Sequence, residues 1–133
     1  MAAKYKNLES IKEQIASDPS AFFLYEDNLQ HRDTEDKAWL RKNPKAIGFV
    51  TKKAPDDQQN SCFTPQEYSK VFFKIIGELK KHIVKYSQHT FYIPRLCTGL
   101  SNKYLIWELV MKHNFIQELG EYDNVVFCWD ENE

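Results

Sequence analysis

Short apolar runs alternate with longer segments of helical periodicity along this chain, and that alternation carries most of the structural reading. Leu8, Ile11 and Ile15 recur at helical spacing among charges, so residues 5–16 read as a short amphipathic helix that ends at Ser17-Asp18-Pro19-Ser20. Residues 21–25, Ala-Phe-Phe-Leu-Tyr, form a compact apolar run halted by Glu26-Asp27-Asn28, the pattern of a buried strand entering a polar loop. Asp33 and Thr34 supply caps for a helix over about 34–42, closed by Asn43-Pro44. A second strand follows at 46–51 and runs into Lys52-Lys53.

Residues 54–62 combine Pro, Asp, Gln, Asn and Ser and read as a surface loop. The best-marked helix starts next. Thr64 offers a cap, Pro65 suits the first helical position, and Glu67 closes a capping box. Tyr68, Phe72, Ile75, Ile76, Leu79 and Ile83 then fall on one face. Residues 90–93 give a third strand ended by Pro94. A polar loop over 95–102 leads to a helix over 102–119, apolar on more than one face and stopped by Gly120, and residues 125–129 form the last strand before an acidic tail.

Strands alternating with helices imply successive βα units, a parallel sheet and right-handed crossovers that place helices on both faces. At 133 residues the chain is expected to form one domain, 1–133, with residues 1–20 as a helical extension. Aromatics at 14% exclude a disordered chain. Without a long apolar stretch or an apolar leader, the expectation is a cytoplasmic protein with no membrane partner. Cys62, Cys97 and Cys128 show no zinc-ligand spacing, so they are read as reduced thiols, with no metal and no cofactor expected. A net charge of −1 gives no general attraction to a phosphate backbone, and the basic run Lys37–Lys42 reads as a solvated helix face, so nucleic acid is not an expected partner.

Ligands of parallel α/β sheets sit at the carboxyl ends of the strands. That rule selects Asp27 and Asn28, Thr51 and Lys52, and Arg95, Cys97, Thr98, Gly99, Ser101 and Asn102 as candidate binding residues. Within the last group, a glycine-containing turn leading to a helix N-terminus suits phosphate or carboxylate, with Ser101 as an ordinary helix cap the alternative. Lys52 and Arg95 add positive charge, or pair with Glu26 or Asp27. Cys97 as a nucleophile lacks a histidine beside it in sequence, and the four histidines form no ligand pattern.

The order of motifs resembles that of small macro-domain-like proteins of bacteria and their phages. The resemblance runs over residues 21–119, through Phe22-Phe23-Leu24-Tyr25-Glu26-Asp27-Asn28-Leu29, Pro44 to Lys53, Phe63-Thr64-Pro65-Gln66-Glu67-Tyr68, and Tyr92-Ile93-Pro94 with Thr98-Gly99-Leu100. It implies a three-layer α/β/α sandwich with a mostly parallel sheet of about four to six strands, and an ADP-ribose-like or cyclic nucleotide ligand. Asp27 and Asn28 would then lie near base or ribose, Thr51 and Lys52 beside the site, and Cys97 to Asn102 at the phosphates. The chain departs from that pattern in glycine: residues 29–43 contain none, which weakens backbone cradling of phosphate. Binding therefore ranks above hydrolysis of an ADP-ribosyl or phosphoester linkage, and a third reading is a phage accessory protein that engages a protein partner or sequesters a nucleotide signal.

Overall fold

The computed structural model describes residues 4–6, 13, 15–31 and 42–130. Its sheet holds β1 (Ala21–Asn28), β2 (Ala46–Lys52), β3 (Thr90–Pro94) and β4 (Val125–Cys128) in the order β2-β1-β3-β4. Every neighbouring pair of these strands is parallel. The chain therefore steps from β1 to β2 in one direction and to β3 and β4 in the other. Right-handed crossovers put the β2–β3 and β3–β4 connections on the same face.

Helix α1 (Pro65–Lys85) and helix α2 (residues 107–119) both cover one face. The strands serve that face by alternation, with Val50 beside Phe49 the exception near the register shift at the end of β1 and β2. Leu24, Phe49, Phe91, Ile93, Val125 and Phe127 meet Phe72, Ile76, Ile83, Phe115 and Leu119 in the main core. On the other face Ala21, Tyr92, Val126 and Cys128 form a smaller cluster with Ile15, from the helical turn before β1. The result is an α/β fold with an all-parallel sheet and helical residues on both faces.

Local sequence explains α1 fully. Thr64 accepts from Glu67 N–H while the Glu67 carboxylate returns to Thr64, the reciprocal capping box that the sequence predicts. Buried Tyr68, Phe72, Ile76, Leu79 and Ile83 then follow every third or fourth residue. Glu67 is also bonded to Lys53, and this contact, with the Thr64 backbone bond, lowers its pKa to about 2.

Two predicted helices have different limits. Residues 4–6 are extended rather than helical, because Lys4 and Lys6 exchange backbone bonds with Phe127 and satisfy the otherwise unpaired edge of β4. Tyr5 there packs its ring on Phe127 and Trp129. Helix α2 begins at Trp107, not 102, since Leu105 takes a left-handed φ of 60° and interrupts the helical path. Its first turn, Trp107–Met111, is a π-turn, and Lys112–Leu119 continue as α-helix. Leu8, Ile11, residues 34–41 of the predicted helix 34–42, which hold the basic run up to Arg41, and the tail 131–133 lie outside the described residues.

Gly48 in β2 marks a close approach. A Cβ there would stand 2.7 Å from Asp27 Oδ2 and 3.2 Å from the Tyr25 hydroxyl, whereas one at Gly77 in α1 would meet nothing within 4 Å. Gly48→Ala is expected to destabilise the chain by roughly 1–3 kcal/mol through overpacking. Gly77→Ala should stabilise it by about 0.5–1 kcal/mol through helix propensity. Urea unfolding of the two variants checks both signs.

Candidate functional site

The sheet opens at its carboxyl edge. β1 pairs with β3 only through Ala21, Phe22 and Phe23, opposite Thr90, Phe91 and Tyr92. From Phe23 onward β1 pairs with β2 as far as Asn28, and β3 continues along β4 to Pro94. The two central strands thus part over their carboxyl halves. This gap coincides with the point where strand order reverses, the place at which open α/β sheets receive ligands.

Alternation along β1 puts Glu26 on the same face as Leu24, at the mouth of that gap. The carboxylate is held from both sides. Thr51, from the end of β2, donates to Glu26 Oε1 at 3.0 Å, and Ser101, from the loop after β3, donates to the same oxygen at 2.6 Å. Thr51 and Ser101 are buried while Glu26 is half-buried. One carboxylate therefore ties three strand ends together, and Glu26 Oε2 is left as an acceptor with no hydroxyl from this pair upon it.

Cys97 lies against the cluster in a left-handed conformation, φ 59°, which a non-glycine residue adopts at a cost of about 1 kcal/mol. Gly99, which the sequence offers for such a turn, has a φ of −133°. The Cys97 thiol donates to Met111 Sδ at 3.4 Å. Burial and then the Glu26 carboxylate push it up to about 12, over the opposing bond from Ser101 and the charge of Arg95. It is a protonated, packed thiol at neutral pH, and this disfavours a nucleophilic role. Tyr68 donates to the Val50 carbonyl at 2.6 Å, and burial, with Cys97 and Glu26 adding, raises its phenol pKa.

The remaining predicted residues go elsewhere. Asp27 faces the opposite side of the sheet, where its carboxylate receives the Asn28 N–H at 2.8 Å and meets His31 Nδ1 at 2.9 Å. Asn28 shapes the turn by accepting from Gln30 N–H. Lys52 donates to the Asp56 carbonyl in the 53–61 loop. Thr98 and Gly99 are exposed. Asn102, rather than Ser101, caps α2: its Oδ1 accepts from Trp107 N–H at 2.9 Å, and its amide donates to Glu108. The loop after β3 thus enters a three-residue 3-10 turn, Leu100–Asn102, and stands a turn away from the helix N-terminus expected to hold phosphate.

Arg95 leans over Trp107, its Cζ 5.7 Å from the ring centroid, with Nη2 3.5 Å from Glu108. Trp107 meets Trp129 edge-on at 5.1 Å. Among the described residues, Arg95 Nε, Trp107 Nε1, Trp129 Nε1 and His89 Nδ1 are buried without a hydrogen-bond partner. Leaving such a group unpaired costs about 1–3 kcal/mol. Glu26, Trp107 and Trp129 were not among the residues selected from sequence. Period-two alternation from Leu24 to Glu26 was the available signal for the first. The indoles read as core.

A family match covers residues 6–103, a span that includes Glu26, Thr51, Cys97 and Ser101. The chain belongs to the family of unknown function DUF7831. No curated protein and no solved structure matches it. Among the described residues no group of three or more His, Cys, Asp or Glu side chains is arranged to hold a metal ion, and no helix is long and apolar enough to cross a membrane.

The thiol at Cys97 links this site to stability. A pKa raised from 9.0 to about 12 on folding favours the folded state fully below pH 9, and that contribution disappears as pH rises towards 12. Cys128, pushed to about 12 by burial, behaves alike. The urea midpoint should fall steeply above pH 9. Cys97→Ala should reduce that slope by on the order of 1 kcal/mol per pH unit, as read from unfolding curves between pH 8 and 11 taken at roughly unit steps.

Proposed function

We propose that this chain binds a small nucleotide-derived ligand in the gap between the carboxyl halves of β1 and β3. The observation that carries the reading is the parting of β1 and β3 after Phe23–Tyr92, with Glu26 fixed at the mouth by Thr51 and Ser101. A carboxylate held by two hydroxyls is preorganised to accept from a ligand's own hydroxyl or amino groups. Vicinal ribose hydroxyls and exocyclic amines are donors of that kind. The resemblance to macro-domain-like proteins supports the same ligand class, with ADP-ribose-like and cyclic nucleotides as its first members.

Charge at the edge favours the nucleoside end of such a ligand as the part that enters. Glu26 and Glu108 flank the loop after β3, Arg95 stands near Glu108, and the Lys52 ammonium is directed to the Asp56 carbonyl. Phosphate groups would then remain towards solvent. Three free buried thiols suit a reducing compartment, and the cytoplasm is the proposed location.

A second reading is favoured by a specific observation. Leu29, Leu100, Tyr104, Leu105 and Leu109, from the segments that follow β1 and β3, expose large apolar surface. Such surface marks protein contacts as well as ligand rims. Under this reading the edge engages a protein partner.

Calorimetric titration with ADP-ribose, cyclic nucleotides and adenosine separates the two. The ligand reading expects saturable heat, with Glu26→Ala weakening affinity at least about ten-fold, the worth of one charge-assisted hydrogen bond, and Thr98→Ala leaving it unchanged. Product analysis of the same mixtures distinguishes binding from hydrolysis. Absence of heat with every ligand would overturn the ligand reading and leave the protein-partner one.

A further inference from the structure

Three of the four unpartnered nitrogens belong to one corner. Arg95 follows β3, Trp129 follows β4 and Trp107 opens α2, so the corner lies at the same carboxyl edge as Glu26. The side chains touch in series, Arg95 on Trp107 and Trp107 on Trp129. Trp107 is 1% exposed and Trp129 3%. The Cys97 thiol is near both groups, since the charges of Glu26, Arg95 and Glu108 all act on it.

Guanidinium and indole N–H groups donate and never accept. Buried donors without acceptors are uncommon in folded proteins, and three on side chains that touch in series leave one corner rich in donors that an acceptor would satisfy. Charge selects its type. Glu108 lies 3.5 Å from the Arg95 guanidinium, and Glu26 adds a second carboxylate nearby, so among the described residues a dianionic phosphate meets an unfavourable field. A neutral carbonyl oxygen or ring nitrogen does not.

We infer that Arg95, Trp107 and Trp129 form a subsite for the neutral acceptor atoms of a nucleobase, while Glu26 takes the donors of the same ligand. The inference rests on reading the carboxyl edge as a ligand site. Arg95 is the movable part of the corner. Its ion pair to Glu108 is long and joins half-exposed partners, 35% and 47% exposed, and so restrains it weakly. The π-turn that carries Trp107 is a backbone feature frequent at functional sites.

Proton–nitrogen correlation spectra of the full chain, following the indole signals of Trp107 and Trp129, test this directly. Uridine and adenosine should move both signals, and ribose 5-phosphate and inorganic phosphate should move neither. Arg95→Lys, which keeps the charge and removes Nε, should raise the nucleoside dissociation constant about ten-fold, as should Trp107→Phe; Arg95→Lys alone decides the point if the tryptophan variant does not fold. Nucleoside binding that depends on Glu26 but leaves both indoles unmoved would overturn the inference and spare the ligand site. Movement caused by phosphate alone would overturn the choice of a neutral acceptor. No binding by either nucleoside would overturn both.

Discussion

The Glu26 carboxylate holds together a part of the sheet that has no ladder of its own. Beyond Phe23 and Tyr92 the two central strands no longer pair, and Ser101, from the loop after β3, reaches Glu26 of β1 across that separation, on the same oxygen that Thr51 of the neighbouring, still paired β2 holds. Hydrogen bonds to a charged acceptor are stronger than neutral ones, and in a half-buried setting these are screened little by solvent. Side chains therefore do at the carboxyl edge what backbone pairing does at the amino edge.

The two faces of the sheet divide the work. The face under α1 and α2 is densely aromatic, with Phe49, Phe72 and Phe115 in mutual contact, and it gives the edge a rigid base. The opposite face carries Asp27, His31 and Gly48, where close packing leaves no room for a Cβ. Neighbours in sequence, Glu26 and Asp27 thus belong to different environments: the first joins the strand ends across the gap, while the second stabilises the turn that leaves β1. Their separation follows from the pleat alone.

Much of this was legible before any coordinates. Apolar runs located all four strands, their alternation with helical segments gave a parallel sheet, and the Thr64-Pro65-Gln66-Glu67 signature fixed the start of α1 to the residue. Thr51, Cys97 and Ser101 were selected because strand ends in such sheets converge, and the fold does gather them round Glu26. Other features depended on partners distant in sequence. Tyr5 is extended because β4 has an edge to fill, and α2 starts late because Leu105 turns left-handed and Asn102 takes over the cap. Glu26 escaped selection because an apolar run read as buried on both sides hides which face each residue serves. Trp107 and Trp129 read as core and do pack in the core; what the sequence pattern does not carry is that their indole N–H groups lie there without an acceptor.

The central claim is that the parted ends of β1 and β3 form a ligand gap organised by Glu26. A crystal structure of the full chain grown with adenosine tests it most directly. The account predicts the nucleoside between residues 24–28 and 93–101, with a hydroxyl or amino group within hydrogen-bonding distance of Glu26 and the bonds from Thr51 and Ser101 retained. A structure in which β1 and β3 pair through to their carboxyl ends, or in which adenosine occupies another surface while Glu26 meets only protein, would contradict it.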